Sequence, residues 1–205
     1  MFDFLKGYVS PRKLRESGVL GMNARNYDII AKYNKRSLYP LVDDKVQTKK
    51  LANSIDINTP HMIGLVEHQY EVKDLLQQIE GHSEFVIKPA HGSEGKGVLV
   101  IAHYENGIFT TTSGRVLTFK EVYQHVSNIL SGLYSLGGQY DVALIEELVH
   151  FTDVFKNFSY QGIPDVRLIV YKGYPALAMT RLATRESSGR ANLHQGAVGV
   201  GLSIK

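Results

Sequence analysis

Phe85-Val86-Ile87-Lys88-Pro89-Ala90-His91-Gly92-Ser93-Glu94-Gly95-Lys96-Gly97-Val98-Leu99-Val100 reads as a strand, a glycine-rich turn and a second strand. Short apolar runs bounded by turn residues are strand signals, and here they predict strands over 84–89 and 97–102. Glycine lacks a Cβ, so Gly92, Gly95 and Gly97 let several backbone N–H groups converge on one anion. Lys88, at the end of the first strand, can add a point charge to the same phosphate. Two better-known phosphate loops fail on spacing. A P-loop needs Gly-Lys followed by Ser or Thr at the start of a helix, but Lys96 is followed by Gly97 and a strand. A dinucleotide fingerprint also needs a helix after its glycines. Alone, the glycines fit a plain flexible hairpin equally well.

Outward from this hairpin, helices and strands alternate. Ser10-Pro11 has the form of a helix start, and a second helix is expected over 23–33. Asp43-Asp44 precede a capped helix over 45–54. An extended segment follows over 62–66. Val72, Leu75, Leu76 and Ile79 fall at helical spacing, with Gly81 placed to end the helix. Thr118-x-x-Glu121 is a capping box, and Val122, Val126, Ile129, Leu130 and Leu133 form the apolar stripe behind it, closed by Gly137-Gly138. Asn106-Gly107 predicts a hairpin between strands over 97–102 and 108–112, and Lys172-Gly173 another between strands over 166–171 and 175–182. Residues 142–149 read as a mostly buried strand, and 184–195 as a polar loop. Val198, Val200, Leu202 and Ile204 alternate, so a strand is expected to be still running at Lys205, either closing an edge or belonging to the start of a longer lobe.

Composition narrows the classes. The chain has 205 residues, 43% hydrophobic and 21% charged, within the range of an ordinary globular chain. Its net charge of +3 is too mild to imply nucleic-acid binding. Without cysteine there are no disulfides, thiolate metal sites or cysteine nucleophiles, and a reducing compartment is allowed. No apolar run has the length of a membrane span or a secretory signal, so a cytoplasmic location is expected.

Two further clusters carry charge. In Ala143-Leu144-Ile145-Glu146-Glu147-Leu148-Val149 a buried strand turns acidic, either to cap a structural network or to offer its edge to a ligand. Asp165, Arg181, Arg190 and Asn192 can meet if the 166–182 hairpin folds back beside the polar loop. Two arginines and an asparagine suit phosphoryl oxygens, because guanidinium groups present planar forks of donors. Singly, each arginine reads more readily as a solvated surface residue. His194 completes no Ser-His-Asp arrangement and no metal-binding pair.

In this order, the clusters resemble the ATP-grasp superfamily and, within it, the alpha-L-glutamate ligase-like proteins of the ribosomal-protein glutamate ligase branch. The similarity runs through Gly21-Met22-Asn23-Ala24-Arg25-Asn26, residues 39–45, 85–97, 146–149 and 162–167, and Ala191-Asn192-Leu193-His194-Gln195-Gly196-Ala197. It implies an α+β fold of two lobes, each an antiparallel sheet flanked by helices, with the C-terminal lobe incomplete. The expected divisions are a helical segment over 1–44, a first lobe over 45–140 and the start of a second over 141–205. By the same resemblance, ATP lies between the lobes, with Lys45 near its phosphates and Lys88 on the α-phosphate side. Gly92, Ser93, Gly95, Lys96 and Gly97 belong to a mobile loop over the β- and γ-phosphates. Glu146, Glu147, Leu148 and Val149 line the adenine, Asp165 stands near the ribose, and Arg181, Arg190 and Asn192 sit at the reacting end. The implied chemistry joins glutamate or a similar amino acid to a peptide or small amine through an acylphosphate. A nucleotide-binding module without catalysis, regulatory or for assembly, is the alternative.

Three departures qualify that resemblance. The family holds Mg²⁺ with a late acidic residue and Glu-x-Asn, and no Glu-x-Asn occurs here, so Mg²⁺ ligands are expected beyond residue 205 and the chain alone is expected to be inactive. Only 44 residues precede Lys45, where many relatives carry a full α/β domain. Glu94 stands in the phosphate loop, where a carboxylate repels triphosphate and is therefore expected to face solvent.

Overall fold

A computed structural model describes residues 8–150, 157–160, 164–187, 189 and 191–204. The chain divides into two units, Met1–Val42 and Asp43–Lys205.

In the first unit, α1 (Pro11–Glu16) starts as expected, with the Ser10 hydroxyl accepting from the Lys13 amide at 3.2 Å. α2 (Met22–Ala24) runs straight into a π-helical stretch, Arg25–Ala31, so most of the helix predicted over 23–33 is wider than an α-helix. Tyr27, Ile30 and Tyr33 fall three apart and Ile29 four before Tyr33, so the sequence carries a helical spacing although the backbone is π-helical there. No described residue of this unit is buried.

α3 (Pro40–Asp43) comes next, and the second unit continues with α4 (Lys45–Ser54), capped by Asp44, whose carboxylate accepts from the Val46 and Gln47 amides at 2.8 and 3.3 Å. The main sheet has six antiparallel strands: β1 (Met62–Val66), β2 (Phe85–Pro89), β3 (Leu99–Glu105), β4 (Ile108–Thr111), β5 (Val116–Thr118) and β6 (Ala143–Glu146). Their spatial order is β1-β6-β2-β3-β4-β5, which sets β6 between β1 and the strand bearing Lys88. Asn106 and Gly107, both left-handed, make the β3–β4 turn as predicted.

Because strand side chains alternate, this sheet has two different faces. One carries Phe85, Ile87, Ile101, Phe109, Ala143 and Ile145, all fully buried in a single apolar core. Against it pack α5 (Leu75–Gln78), the 3₁₀ turn before it (Gln69–Asp74) and α6 (Phe119–Leu130). The predicted helix over 72–79 thus begins as a tight turn, tied by the Glu71 carboxylate accepting from the Glu67 and His68 amides at 2.8 and 3.0 Å. Val72, Leu75 and Ile79 are fully buried, but Leu76 falls off the stripe and is 37% exposed. α6 has its capping box and buries Val122, Val126, Ile129 and Leu130. Leu133 lies beyond the helix end and is exposed, because the helix stops at Leu130 rather than near Gly137. The other face of the sheet carries Val86 and Lys88 opposite Glu146 and Leu144.

A separate antiparallel sheet consists of β7 (Asp165–Tyr171), β8 (Tyr174–Leu182) and β9 (Val198–Leu202). Register places Asp165, Arg167, Met179 and Arg181 on one face with Gly199 and Gly201, so β9 offers bare backbone there. The opposite face carries Val166, Leu168, Val198, Val200 and Leu202, between 39% and 65% exposed. The architecture is α+β, with antiparallel sheets and helices flanking the larger one. Among the described residues, no helix is long and apolar enough to cross a membrane.

Candidate functional site

Two lysines share one carboxylate on the polar face of the large sheet, and a third lysine feels its charge. Lys45 opens α4 and Lys49 follows one turn later on the same side of the helix. Lys88 comes from β2. It donates to Oε1 of Glu146, and the Lys49 ammonium stands 3.1 Å from Oε2 of the same side chain. Lys49 and Glu146 are 6% and 5% exposed, so each charge needs a partner to offset its desolvation. The acidic end of β6 therefore does belong to a charged network.

Lys45 ties this group to the glycine-rich loop. Its Nζ donates to the carbonyls of Gly92 at 2.6 Å and Ala90 at 3.0 Å, leaving one N–H of the ammonium for another acceptor. Burial lowers the Lys45 pKa, and the Lys88 charge lowers it further against the pull of Asp141, Asp44 and Glu146. A site that disfavours its own ammonium charge gains when an anion enters.

The loop is pinned at both ends. At the first, the His91 amide donates to both oxygens of Asp141 at 3.0 and 3.1 Å, and His91 Nδ1 lies 2.9 Å from Oδ1. Asp141 also accepts from the Ser135 hydroxyl and, at 2.7 Å, from the Val142 amide. Burial raises its pKa, but the hydrogen bonds from Ser135, His91 and Val142 outweigh burial and hold it below the ordinary value. At the second end, the Gly97 carbonyl lies 3.0 Å from Nε2 of His125, whose pKa burial lowers. Gly97 has φ +74°, and a Cβ there would come within 2.5 Å of the Tyr134 ring, so only glycine fits. Between the pins, Glu94, Gly95 and Lys96 are exposed. Ser93 accepts the Lys96 amide through its carbonyl at 3.0 Å, closing the turn.

Across from the loop tip lies the second sheet. Glu94 and Gly95 share a cleft of about 460 Å³ with Arg167, Arg181, Ala191 and Asn192. Glu94 is exposed, as expected, and from there it borders the cleft and pairs with Lys96 at 3.1 Å, which offsets its charge. Asp165 and Arg181, opposite each other on β7 and β8, form a two-pronged pair, one prong at 2.7 Å. That pairing holds Asp165 below the usual carboxylate range and Arg181 above its ordinary value. Asn192 caps a 3₁₀ turn, Leu193–Gln195, inside the loop predicted over 184–195. Arg190, and residues 162–163 of the resembling segment, lie outside the described residues.

Other predicted residues stand farther along the strand edge. The Glu147 amide donates to the His61 carbonyl at 3.0 Å, continuing the β1–β6 pairing, and its side chain is exposed. Leu148 is half-buried and Val149 exposed beyond the end of β6, which is shorter than the strand predicted over 142–149. Sequence reasoning missed Lys49, Asp141, His125, Tyr134 and the cleft role of Arg167. For Lys49 there was a signal, its four-residue spacing from Lys45 on a capped helix.

Lysines, loop amides and cleft arginines suit a polyphosphate. A Mg²⁺ site is another matter. Three carboxylates of this region are committed to basic groups, Glu146 to two lysines, Glu94 to Lys96 and Asp165 to Arg181. Among the described residues, no three His, Asp or Glu side chains stand together as a site that could hold Mg²⁺. Comparison with curated proteins found no match. A family model described as sugar-transfer associated ATP-grasp matches residues 24–205, a span that includes the lysine cluster, the glycine-rich loop and the arginine cleft. The chain belongs to the sugar-transfer associated ATP-grasp family.

Proposed function

We propose that the chain binds ATP and serves an ATP-dependent carboxylate–amine ligation that passes through an acylphosphate. The observation that carries this reading is Lys88 on Glu146 and Lys45 on a pinned glycine-rich loop whose tip faces arginines. In this reading Lys45 and Lys88 hold the phosphates, the 92–97 loop covers their β–γ end, and Glu147, Leu148 and Val149 border the adenine. Asp165 lies near the ribose, while Arg181, Arg190 and Asn192 stabilise the reacting end. A substrate carboxylate oxygen attacks the γ-phosphorus and ADP leaves. An amine then attacks the acyl carbon, losing a proton as phosphate departs. Such chemistry asks a protein mainly for positioning and positive charge, so no side-chain nucleophile is required.

Glutamate or a similar amino acid is the proposed acid, and a peptide or small amine the acceptor. The family's association with sugar transfer adds amino sugars to the acceptors worth testing. A cytoplasmic location accords with the use of ATP. The commitment of the nearby carboxylates to basic groups favours a second reading, nucleotide binding without transfer. Calorimetric titration with ATP, paired with ADP release in the presence of Mg²⁺, glutamate and each acceptor, separates the two. Binding with turnover supports the ligase, binding without turnover supports the second reading, and no binding overturns both. In Lys88→Met the affinity is expected to fall by about tenfold to a hundredfold, as for loss of a charge-assisted contact.

A further inference from the structure

Lys49 has no task in the function proposed above, yet it is the most deeply placed of the three lysines. Its Nζ donates to the Pro60 carbonyl and to the Thr59 hydroxyl at 3.4 Å, and it stands 3.1 Å from Oε2 of Glu146. That oxygen is buried and has no well-aligned hydrogen-bond donor, so the ammonium holds it by charge alone. The other oxygen, Oε1, takes Lys88. Glu146 is therefore split between two cations, one oxygen to each.

The split matters for Lys88. A carboxylate with a single cation beside it directs its whole charge at that cation, whereas one shared between two cations neutralises each less. Were Lys49 absent, Glu146 would act on Lys88 in this way, and the Lys88 charge would be spent inside the protein. With Oε2 held by Lys49, only one acceptor faces Lys88, and its remaining N–H groups stay available.

We propose that Lys49 is a positioning residue: by holding Oε2 of Glu146 it keeps Lys88 available to a nucleotide phosphate. The proposal rests on the reading of Lys88 as a phosphate ligand. ATP titration by calorimetry tests it on the parent chain and on Lys49→Met, Lys49→Arg, Glu146→Gln, Lys88→Met and the double variant Lys49→Met with Glu146→Gln. Lys49→Met is expected to weaken ATP binding about tenfold and Lys49→Arg to recover most of that loss. In the Glu146→Gln background, adding Lys49→Met is expected to change affinity by less than about threefold, because the group through which Lys49 acts is gone. A purely structural lysine would cost the same in both backgrounds, and that result overturns the proposal. So does unchanged affinity in Lys49→Met. If Lys49→Met does not fold, the comparison of Glu146→Gln with the double variant decides alone, since both buried charges are then removed together. Failure of the underlying reading looks different: Lys88→Met then binds ATP as the parent does, or the parent binds none.

Discussion

The two sheets of the second unit are made by the same antiparallel pairing, yet they are held in different ways. In the six-stranded sheet, Phe85, Ile87, Ile101 and Phe109 are fully buried beneath α5 and α6. Each such side chain contributes about 1.5–3 kcal/mol by leaving water. In the three-stranded sheet, Thr180 is the single buried residue, and the apolar side chains of β7 and β9 are largely exposed. What holds that sheet is its ladder and the Asp165–Arg181 pair. The contrast teaches that the lysines and the glycine-rich loop sit on a stiff platform, whereas the arginines across the cleft sit on a framework with little apolar anchorage. Local opening is cheapest where buried apolar contacts are fewest.

The largest expected effect tests this contrast directly. Phe109→Ala removes a ring packed edge-on to Phe85 and stacked on Tyr104 at 4.6 Å, and should cost about 3–5 kcal/mol in urea unfolding. Leu168→Ala, at a 51% exposed position in β7, should stay within about 0.5 kcal/mol. Comparable losses at the two positions would erase the distinction. Next in size is Asp141→Asn at the base of the loop. The folded carboxyl of Asp141 lies below its ordinary 3.8, so its contribution is complete above the unfolded value and is lost as pH falls through the folded one. The variant should therefore lose about 1–3 kcal/mol at pH 7, with the gap to the parent closing in acid. A gap that stays constant from pH 7 to strong acid would show that the charge of Asp141 does not contribute. Smallest is Asp165→Asn. Its carboxyl is also lowered, chiefly by the Arg181 hydrogen bonds, but the side chain is 41% exposed and solvent screens the pair. The expected loss at neutral pH is no more than about 1 kcal/mol, fading with the same sign in acid. A larger loss would mean that the second sheet depends on one ion pair, and would sharpen the contrast further.

How far the sequence could be read follows the same division between local and long-range physics. The Asn106-Gly107 turn, the Thr118–Glu121 capping box and the Asp44 cap were all legible, because each is decided within four residues. The strand and glycine-rich turn that carry Lys88 were legible for the same reason. The burial of Lys49 was not, since it depends on Glu146, which is ninety-seven positions away in the chain and arrives by the β1-β6-β2 order. Nor were His125 and Tyr134 legible as the pin at Gly97, because an imidazole on a helix announces no carbonyl partner. Leu76 and Leu133 were misassigned to apolar stripes because a 3₁₀ turn and an early helix end shifted the phase. The short strand β5 gave too few residues to show a period.

The pinning of the 92–97 segment at both ends has a kinetic consequence. With Gly92 held through Lys45 and Gly97 through His125, only Ser93, Glu94, Gly95 and Lys96 are left to swing. In the proposed nucleotide site, a flap that short would reopen without unravelling its supports, and the residence time of the occupant would be set by its tip. The salt link between Glu94 and Lys96 is then a hinge stiffener, and altering it would change how fast the occupant exchanges more than how tightly it is held.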